Sequence, residues 1–245
     1  MKDPDNILDF YNAEGADTER YASAKFWEKR YHNKRLKTIE ILLRNHLFRA
    51  CNSFADIGCG TGEYLAFSRQ FVDTVDGVDL STKYLKRCKR WSPDGLTAAD
   101  VRSLPFKNNA FDCVLCSEVI EHVNEIDVAV DEVLRVARKL VLFSTPNHGL
   151  IRQLFSGFAK NFVERTDSKV RHVNIMRFGE LVNRMSRSNW SLLTAFTVEV
   201  APPTLDEIKI PWVATPIIRT IEAGTDLLIP SLGSISFVVL ARKPT

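Results

Sequence analysis

The chain has 245 residues, 45% apolar and 26% charged, with a net charge of +3. That composition suits one soluble domain with a full hydrophobic core, and no internal repeat or low-complexity tract argues otherwise. The opening "MKDPDNILDF" lacks the layout of a signal peptide, and apolar runs such as "KLVLFSTP" are too short to span a bilayer.

Five cysteines, Cys51, Cys59, Cys88, Cys113 and Cys116, are odd in number and sit mostly in apolar runs. They predict free thiols in a reducing compartment, the cytoplasm, rather than a disulfide framework. Cys113 and Cys116 form a C-x-x-C, but within "AFDCVLCSEV" they read as a buried strand whose positions i and i+3 face opposite ways. No second pair completes a zinc site, so two core thiols are expected. The basic residues are unevenly spread: nine Lys or Arg stand from Arg20 to Arg49, and "KYLKRCKRW" adds five. Solvated helix faces account for both runs, with attraction for an anionic substrate or membrane surface as the alternative.

In chain order, residues 18 to about 50 predict a helix, with Ile39, Leu42, Leu43, His46 and Leu47 at helical spacing and no Gly or Pro. Strands and helices then alternate. "NSFADIG" predicts a strand and "GEYLAFSRQF" a helix; "VDTVDGVDL" predicts a strand, followed by a helix capped by Ser81 and running through about Arg90. "LTAAD" and "FDCVLCSEV" predict two more strands, residues 125 to 138 a helix, and "KLVLFST" a fifth strand. Such alternation predicts an α/β fold with a mostly parallel sheet covered on both faces. Past Pro146, residues 149 to 163 carry Ile151, Leu154, Phe155, Phe158 and Phe162 as one apolar helical stripe. A helix near 177 to 187, a strand near 191 to 200 and a final strand "SISFVVLARK" predict an antiparallel closing hairpin.

"SFADIGCGTGEYL", residues 53 to 65, sets the chemistry. Glycines at a strand-to-helix turn let backbone approach a ligand closely. A dinucleotide requires G-x-G-x-x-G, whereas here Gly58-x-Gly60-x-Gly62 is followed by Glu63. Asp56 and Glu63 would also repel a pyrophosphate. S-adenosylmethionine, with a sulfonium, an ammonium and no phosphate, fits better. Asp56 can receive the ammonium, Asp79 at the end of "GVDLS" both ribose hydroxyls, and Asp100 at the end of "TAAD" the adenine amino group. Gly62 has a plainer alternative, close helix–sheet packing.

"ADIGCGTG", "GVDLS", "AADVRSLPF", "FDCVLCSEVIEHV" and "LVLFSTPN" stand in the order and at the spacings of a known motif set. With them the chain resembles the class I S-adenosylmethionine-dependent methyltransferases over residues 50 to 190, including their type 11 and ubiquinone-pathway O-methyltransferase branches. The resemblance implies a Rossmann-like, seven-stranded, mostly parallel sheet with an antiparallel last strand, helices on both faces and a small helical lid. It divides the chain into an N-terminal helical cap (1–50) and a methyltransferase domain (51–245) with a lid insertion about 147–176. It implies cofactor contacts at Asp56, Gly58, Cys59, Gly60, Asp79, Leu80, Asp100, Val101 and Ser117. Tyr21, Trp27, Arg30, His32 and Arg35 in the first helix are further candidates to cover the cofactor or hold its carboxylate.

"SEVIEHV" is a second informative stretch. If it turns helically, Glu118, Glu121 and His122 share one face. They could hold a divalent cation with His172, or less readily His148, as the fourth ligand. Small-RNA and ubiquinone-pathway O-methyltransferases have a similar metal-binding E-x-x-E-H segment, although other relatives carry "EHV" without a metal. A metal would lower the pKa of a substrate hydroxyl. Without one, the catalytic candidates are His122 or His172 as general base, with Glu118 beside them.

The acceptor expected from the apolar stripe at 151 to 162 and from "IKIPWVATPII" is a small or lipid-like molecule. Arg152, Lys160, Arg165, Lys169 and Arg171 fit an anionic head and allow peripheral membrane contact. RNA ribose methylation and a non-catalytic cofactor-binding partner subunit are the alternatives. Nucleic acid is poorly supported by a chain of +3.

Overall fold

Seven short runs rich in apolar residues form strands that join edge to edge in one sheet. The structure, a computed structural model, describes residues 26–92, 95–146, 176–198 and 236–244. Its elements are α1 (Phe26–Ala50), β1 (Ser53–Ile57), α2 (Glu63–Ser68), β2 (Thr74–Asp79), α3 (Thr82–Cys88), β3 (Leu96–Ala98) and β4 (Phe111–Ser117). A 3₁₀ turn (Ile120–His122), α4 (Ile126–Val136), β5 (Ala137–Pro146), α5 (Phe178–Arg187), β6 (Ser191–Val198) and β7 (Ser236–Arg242) follow. The strand order is β3-β2-β1-β4-β5-β7-β6. β1 to β5 pair in parallel, and β7 runs antiparallel to both β5 and β6, as the predicted closing hairpin requires.

Period-2 alternation along the strands builds two cores, one on each face. On β4, β5 and β7, Val114, Cys116, Val141, Phe143, Val239 and Ala241 point to one face and are covered by Ala129, Val130 and Val133 of α4 and Leu181 and Met185 of α5. Cys113, Leu115, Leu140, Leu142, Val238 and Leu240 point to the other and are covered by Ile39, Leu42 and Leu43 of α1, with Leu65 and Phe67 of α2 and Leu85 of α3. Burying each Val, Leu, Ile, Phe or Met among them contributes roughly 1.5–3 kcal/mol relative to leaving it in water. The C-x-x-C pair is split between these cores, and all five thiols are free and buried. The basic side chains of Lys83, Lys86, Arg87, Lys89 and Arg90 are exposed, as a solvated face demands.

Two expectations shift at their edges. The helix read over 125 to 138 ends at Val136, because Ala137 turns extended (φ −80°, ψ 135°) and pairs with Phe111. The strand therefore starts without a loop, earlier than "KLVLFST" suggests. Ser81 does cap its helix, its hydroxyl accepting from the Tyr84 amide at 3.4 Å. Residues 18 to 25, the stripe at 149 to 163 and residues 205 to 230 lie outside the described residues.

Candidate cofactor crevice

The strand order reverses between β1 and β4, and in open parallel sheets such a switch point leaves a crevice at the carboxyl ends of the strands. Here the crevice has about 660 Å³ of space including its open mouth. It is lined by Asp56, Gly58, Cys59, Gly60, Thr61, Glu63, Tyr64, Tyr84, Ser117 and Arg35.

The glycine loop is bolted to β2. The Gly58 and Cys59 amides donate to the Val78 carbonyl at 2.7 and 2.9 Å, and the Gly60 amide donates to Asp79 Oδ2 at 2.9 Å. The other Asp79 oxygen accepts from the Ser81 amide at 2.7 Å. Gly58 and Gly60 sit at φ +78° and +52°, where a side chain is strained. At Gly58 a Cβ would also drive into Val119, whereas at Gly60 it would meet open space. Gly62 has a packing role: a Cβ there would lie 2.9 Å from Cys88 Sγ and 3.0 Å from Trp91 Cδ1. Cys88 donates its thiol to the Gly60 carbonyl at 3.2 Å. A hydrogen bond with Cys88, together with burial, holds the Cys59 thiol protonated.

Asp56 closes the floor. Its residue is 2% exposed, and its Oδ2 has no hydrogen-bond partner. Burial first, then the negative charge of Glu63, raises its carboxyl well above the ordinary range. Glu63 is raised too, again chiefly by burial, although Thr61 donates its hydroxyl to it. The Tyr64 hydroxyl lies beside Ser117 and is pushed up by burial. A site of this kind is short of positive charge and long on acceptors. It favours a cationic ligand and disfavours a phosphorylated one.

Five of the nine residues implied as cofactor contacts line the crevice: Asp56, Gly58, Cys59, Gly60 and Ser117. Asp79 instead braces the loop with its carboxylate. Leu80, just past it, leaves a large apolar side chain 75% exposed. The Asp100 carboxylate is gripped by Arg102 at 2.6 Å, which lowers its pKa, and Arg102 reaches on to Glu125. The Val101 side chain is packed in the core. Of the candidates on the first helix, Arg35 lines the crevice, and His32 does not; Tyr21 and the side chains of Trp27 and Arg30 lie outside the described residues.

"SEVIEHV" does not form the helical face on which the metal set depends. Glu118 has φ +56°, and only Ile120–His122 turn, as a single 3₁₀ turn. Glu118 is ion-paired with Arg35 at 3.0 Å and accepts from the Ser144 hydroxyl at 3.0 Å. Glu121, 2% exposed, turns inward to accept from Thr145 at 3.3 Å. Burial, then the charge of Glu118, raises its carboxyl well above normal. His122 Nε2 lies 3.8 Å from Glu121 Oε1, with its side chain 38% exposed. Among the described residues no three His, Cys, Asp or Glu are grouped to hold a metal ion, so these residues do not fit one. His148 and His172 lie outside the described residues. Thr61, Glu63, Tyr64 and Tyr84 are lining residues that motif reading did not assign.

Among known proteins, a family model described as a methyltransferase domain matches residues 55–143. A malonyl-[acyl-carrier protein] O-methyltransferase of Hamiltonella defensa is 32% identical over 108 residues, covering 43% of this chain and 42% of that protein. A demethylmenaquinone methyltransferase of Renibacterium salmoninarum is 37% identical over 112 residues, covering 42% and 46%. The chain thus spans less than half the length of either relative. Among solved structures, the magnesium protoporphyrin IX methyltransferase of Synechocystis with bound SAH superposes with a TM-score of 0.63 over 99% of this chain and 100% of that one. At 14% identity, that likeness shows the fold.

Proposed function

We propose that this chain, a member of the class I S-adenosylmethionine-dependent methyltransferases, is a cytoplasmic enzyme that methylates a small, apolar or lipid-like molecule, with oxygen as the favoured acceptor atom. Asp56 carries the reading: a buried acid with an unpartnered oxygen, on the floor of a glycine-lined crevice, is built to meet a cation.

When bound, S-adenosylmethionine supplies a methyl group on a sulfonium, an electrophile strong enough that alignment of the acceptor does most of the work. Asp56 receives the ammonium, and the Gly58–Gly60 backbone lets the methionine portion approach. Asp79 takes the ribose hydroxyls with the lone pairs left after bracing the loop, Leu80 covers the adenine, and Asp100 accepts from its amino group. Ser117 lines the end nearest the methyl. His122, the exposed member of the 3₁₀ turn, is the described residue assigned to take a proton from an acceptor hydroxyl. The named relatives act on a carrier-bound malonyl group and on demethylmenaquinone, which supports a metabolite acceptor rather than RNA. No helix among the described residues is long and apolar enough to cross a membrane, and the buried free thiols suit a reducing compartment.

Two measurements test the proposal. Calorimetry is expected to register S-adenosylmethionine and its demethylated product and no uptake of NAD. Transfer of labelled methyl from the cofactor into a host extract, with the product identified by mass, is expected to label a small organic-soluble molecule. Cofactor binding without labelling would favour a non-catalytic subunit, and labelled RNA would overturn the acceptor class.

A further inference from the structure

Four of the five thiols stand in pairs, Cys59 with Cys88 and Cys51 with Cys113, each pair joined by a hydrogen bond. The first pair lies under the glycine loop. Cys59 lines the crevice and is 3% exposed, while Cys88, in the last turn of α3, is fully buried. Two glycines make room for the sulfurs: a Cβ at Gly62 would lie 2.9 Å from Cys88 Sγ, and one at Gly77 on β2 would lie 3.1 Å from Cys59 Sγ. The backbone is anchored on both sides. The Cys59 amide donates to the Val78 carbonyl at 2.9 Å, and the Cys88 carbonyl accepts from the Trp91 and Ser92 amides at 2.8 and 3.1 Å. Sulfurs already in hydrogen-bond contact need a modest closure to reach the S–S length of about 2.05 Å. That closure has a consequence for the loop, because Cys88 donates its thiol proton to the Gly60 carbonyl at 3.2 Å and a disulfide has no proton to give. The second pair, Cys51 and Cys113, is packed in the core on the α1 face and does not line the crevice.

From this contact we infer that Cys59 and Cys88 form a reversible modification site: hydrogen peroxide entering the crevice closes them to a disulfide, and the disulfide weakens cofactor binding. The Cys59 sulfur attacks one peroxide oxygen, the O–O bond breaks, and the thiol proton leaves in a first water. The Cys88 sulfur then attacks the Cys59 sulfenic acid and forms the S–S bond, and the displaced hydroxyl leaves with the Cys88 proton as a second water. Two thiols lose two electrons and two protons, and one peroxide becomes two waters. Because burial and the Cys88 contact hold the Cys59 thiol protonated, the step is slow and answers to sustained rather than trace oxidant. In a reducing compartment such a disulfide is transient, as redox-sensing disulfides are. A ligand in the crevice covers Cys59, so cofactor and oxidant compete for the same opening. The effect on binding rests on the cofactor reading above, whereas the disulfide itself does not.

The test treats the full chain with hydrogen peroxide, with and without S-adenosylhomocysteine, and maps the cysteines by mass spectrometry of unreduced peptides. A peptide pair linked through Cys59 and Cys88 is expected, lighter by two hydrogens than the separate thiols, and dithiothreitol is expected to release it. S-adenosylhomocysteine at about ten times its Kd is expected to slow the linkage about tenfold, because only the unliganded protein offers Cys59. Calorimetry on the oxidised protein is expected to show S-adenosylmethionine bound about 2- to 10-fold more weakly, the loss expected for one hydrogen bond, with recovery on reduction. Cys88→Ser is expected to abolish the link and let Cys59 run on to the sulfinic acid. Linkage of Cys51 to Cys113 alone, sulfinic acid at Cys59 of the wild type, or cysteines left unmodified overturns the site without needing any variant to fold. A linked protein that binds cofactor as tightly as the reduced one overturns the effect on binding. Linkage in a protein that binds no S-adenosylmethionine in either state supports the thiol site and overturns the cofactor reading.

Discussion

Asp56→Asn should make the free protein more stable while it weakens cofactor binding. On the floor of the crevice Asp56 is almost fully buried, one oxygen is unpartnered, and Glu63 and Asp79 add negative charge. Burial above all raises its carboxyl above the ordinary 3.8. The folded chain therefore keeps a proton over a pH range where the unfolded chain has released it, so stability is lost as pH rises above 3.8. Asn removes that cost. At neutral pH the variant is expected to gain about 1–3 kcal/mol, because the amide, although still a buried polar group, has no charge to desolvate and no proton to hold. For a chain of this size that corresponds to a rise in Tm of about 2–4 °C per kcal/mol. The two melting curves should converge at pH below about 3.8. Losing one charge-assisted contact to the ammonium should weaken S-adenosylmethionine by about 10- to 150-fold. Thermal melts across pH and calorimetry at neutral pH measure both effects. A variant less stable than the wild type at neutral pH, with unchanged cofactor affinity, would refute the reasoning.

Other perturbations separate the remaining roles. Gly58→Ala combines left-handed strain with a collision against Val119 and is expected to cost about 2–5 kcal/mol, whereas Gly60→Ala, open to space, should cost about 1 kcal/mol. Equal shifts of the two urea midpoints would contradict this. Glu40 on α1 is raised to about 7 by burial, against the opposing charges of Arg44 and Lys37. Its contribution to stability should fall as pH climbs from 4.5 through about 7. Glu40→Gln is expected to flatten that slope in pH-dependent melts, and an unchanged profile would remove Glu40 as its source. Because Arg35 and Ser144 already occupy Glu118, strong chelators are expected to leave methyl transfer unchanged. Activity lost to chelation and restored by a divalent ion would restore the metal reading.

The elements that sequence reads well are those whose signal is local. β4 and β5 announce themselves because apolar residues on both faces leave no polar alternation, and the resulting sheet buries both faces. The glycine loop is equally legible, since Gly58 and Gly60 each meet a backbone requirement that few other residues satisfy. Spacing fails where a chain changes direction. The E-x-x-E-H segment has helical spacing, yet Glu118 enters the left-handed region at the end of β4, which sends its carboxylate to Arg35 and leaves Glu121 to turn inward toward Thr145. Nothing in the local pattern forecasts that break, because its partners, Arg35 and Ser144, stand 83 residues before and 26 residues after Glu118 in the chain. Arg35 is one of nine basic residues from Arg20 to Arg49, and the resemblance names it among five candidates without choosing between them. On the sequence it is one cation in a basic helix. In the fold it is the cation that faces the crevice acids, because α1 lies across the sheet with Ile39 and Leu43 buried and brings position 35, one turn earlier than Ile39, to the rim. Charge balance in a binding site is a property of what the fold brings together, so the choice of Arg35 among the candidates on the first helix comes only with the three-dimensional placement of that helix over the crevice.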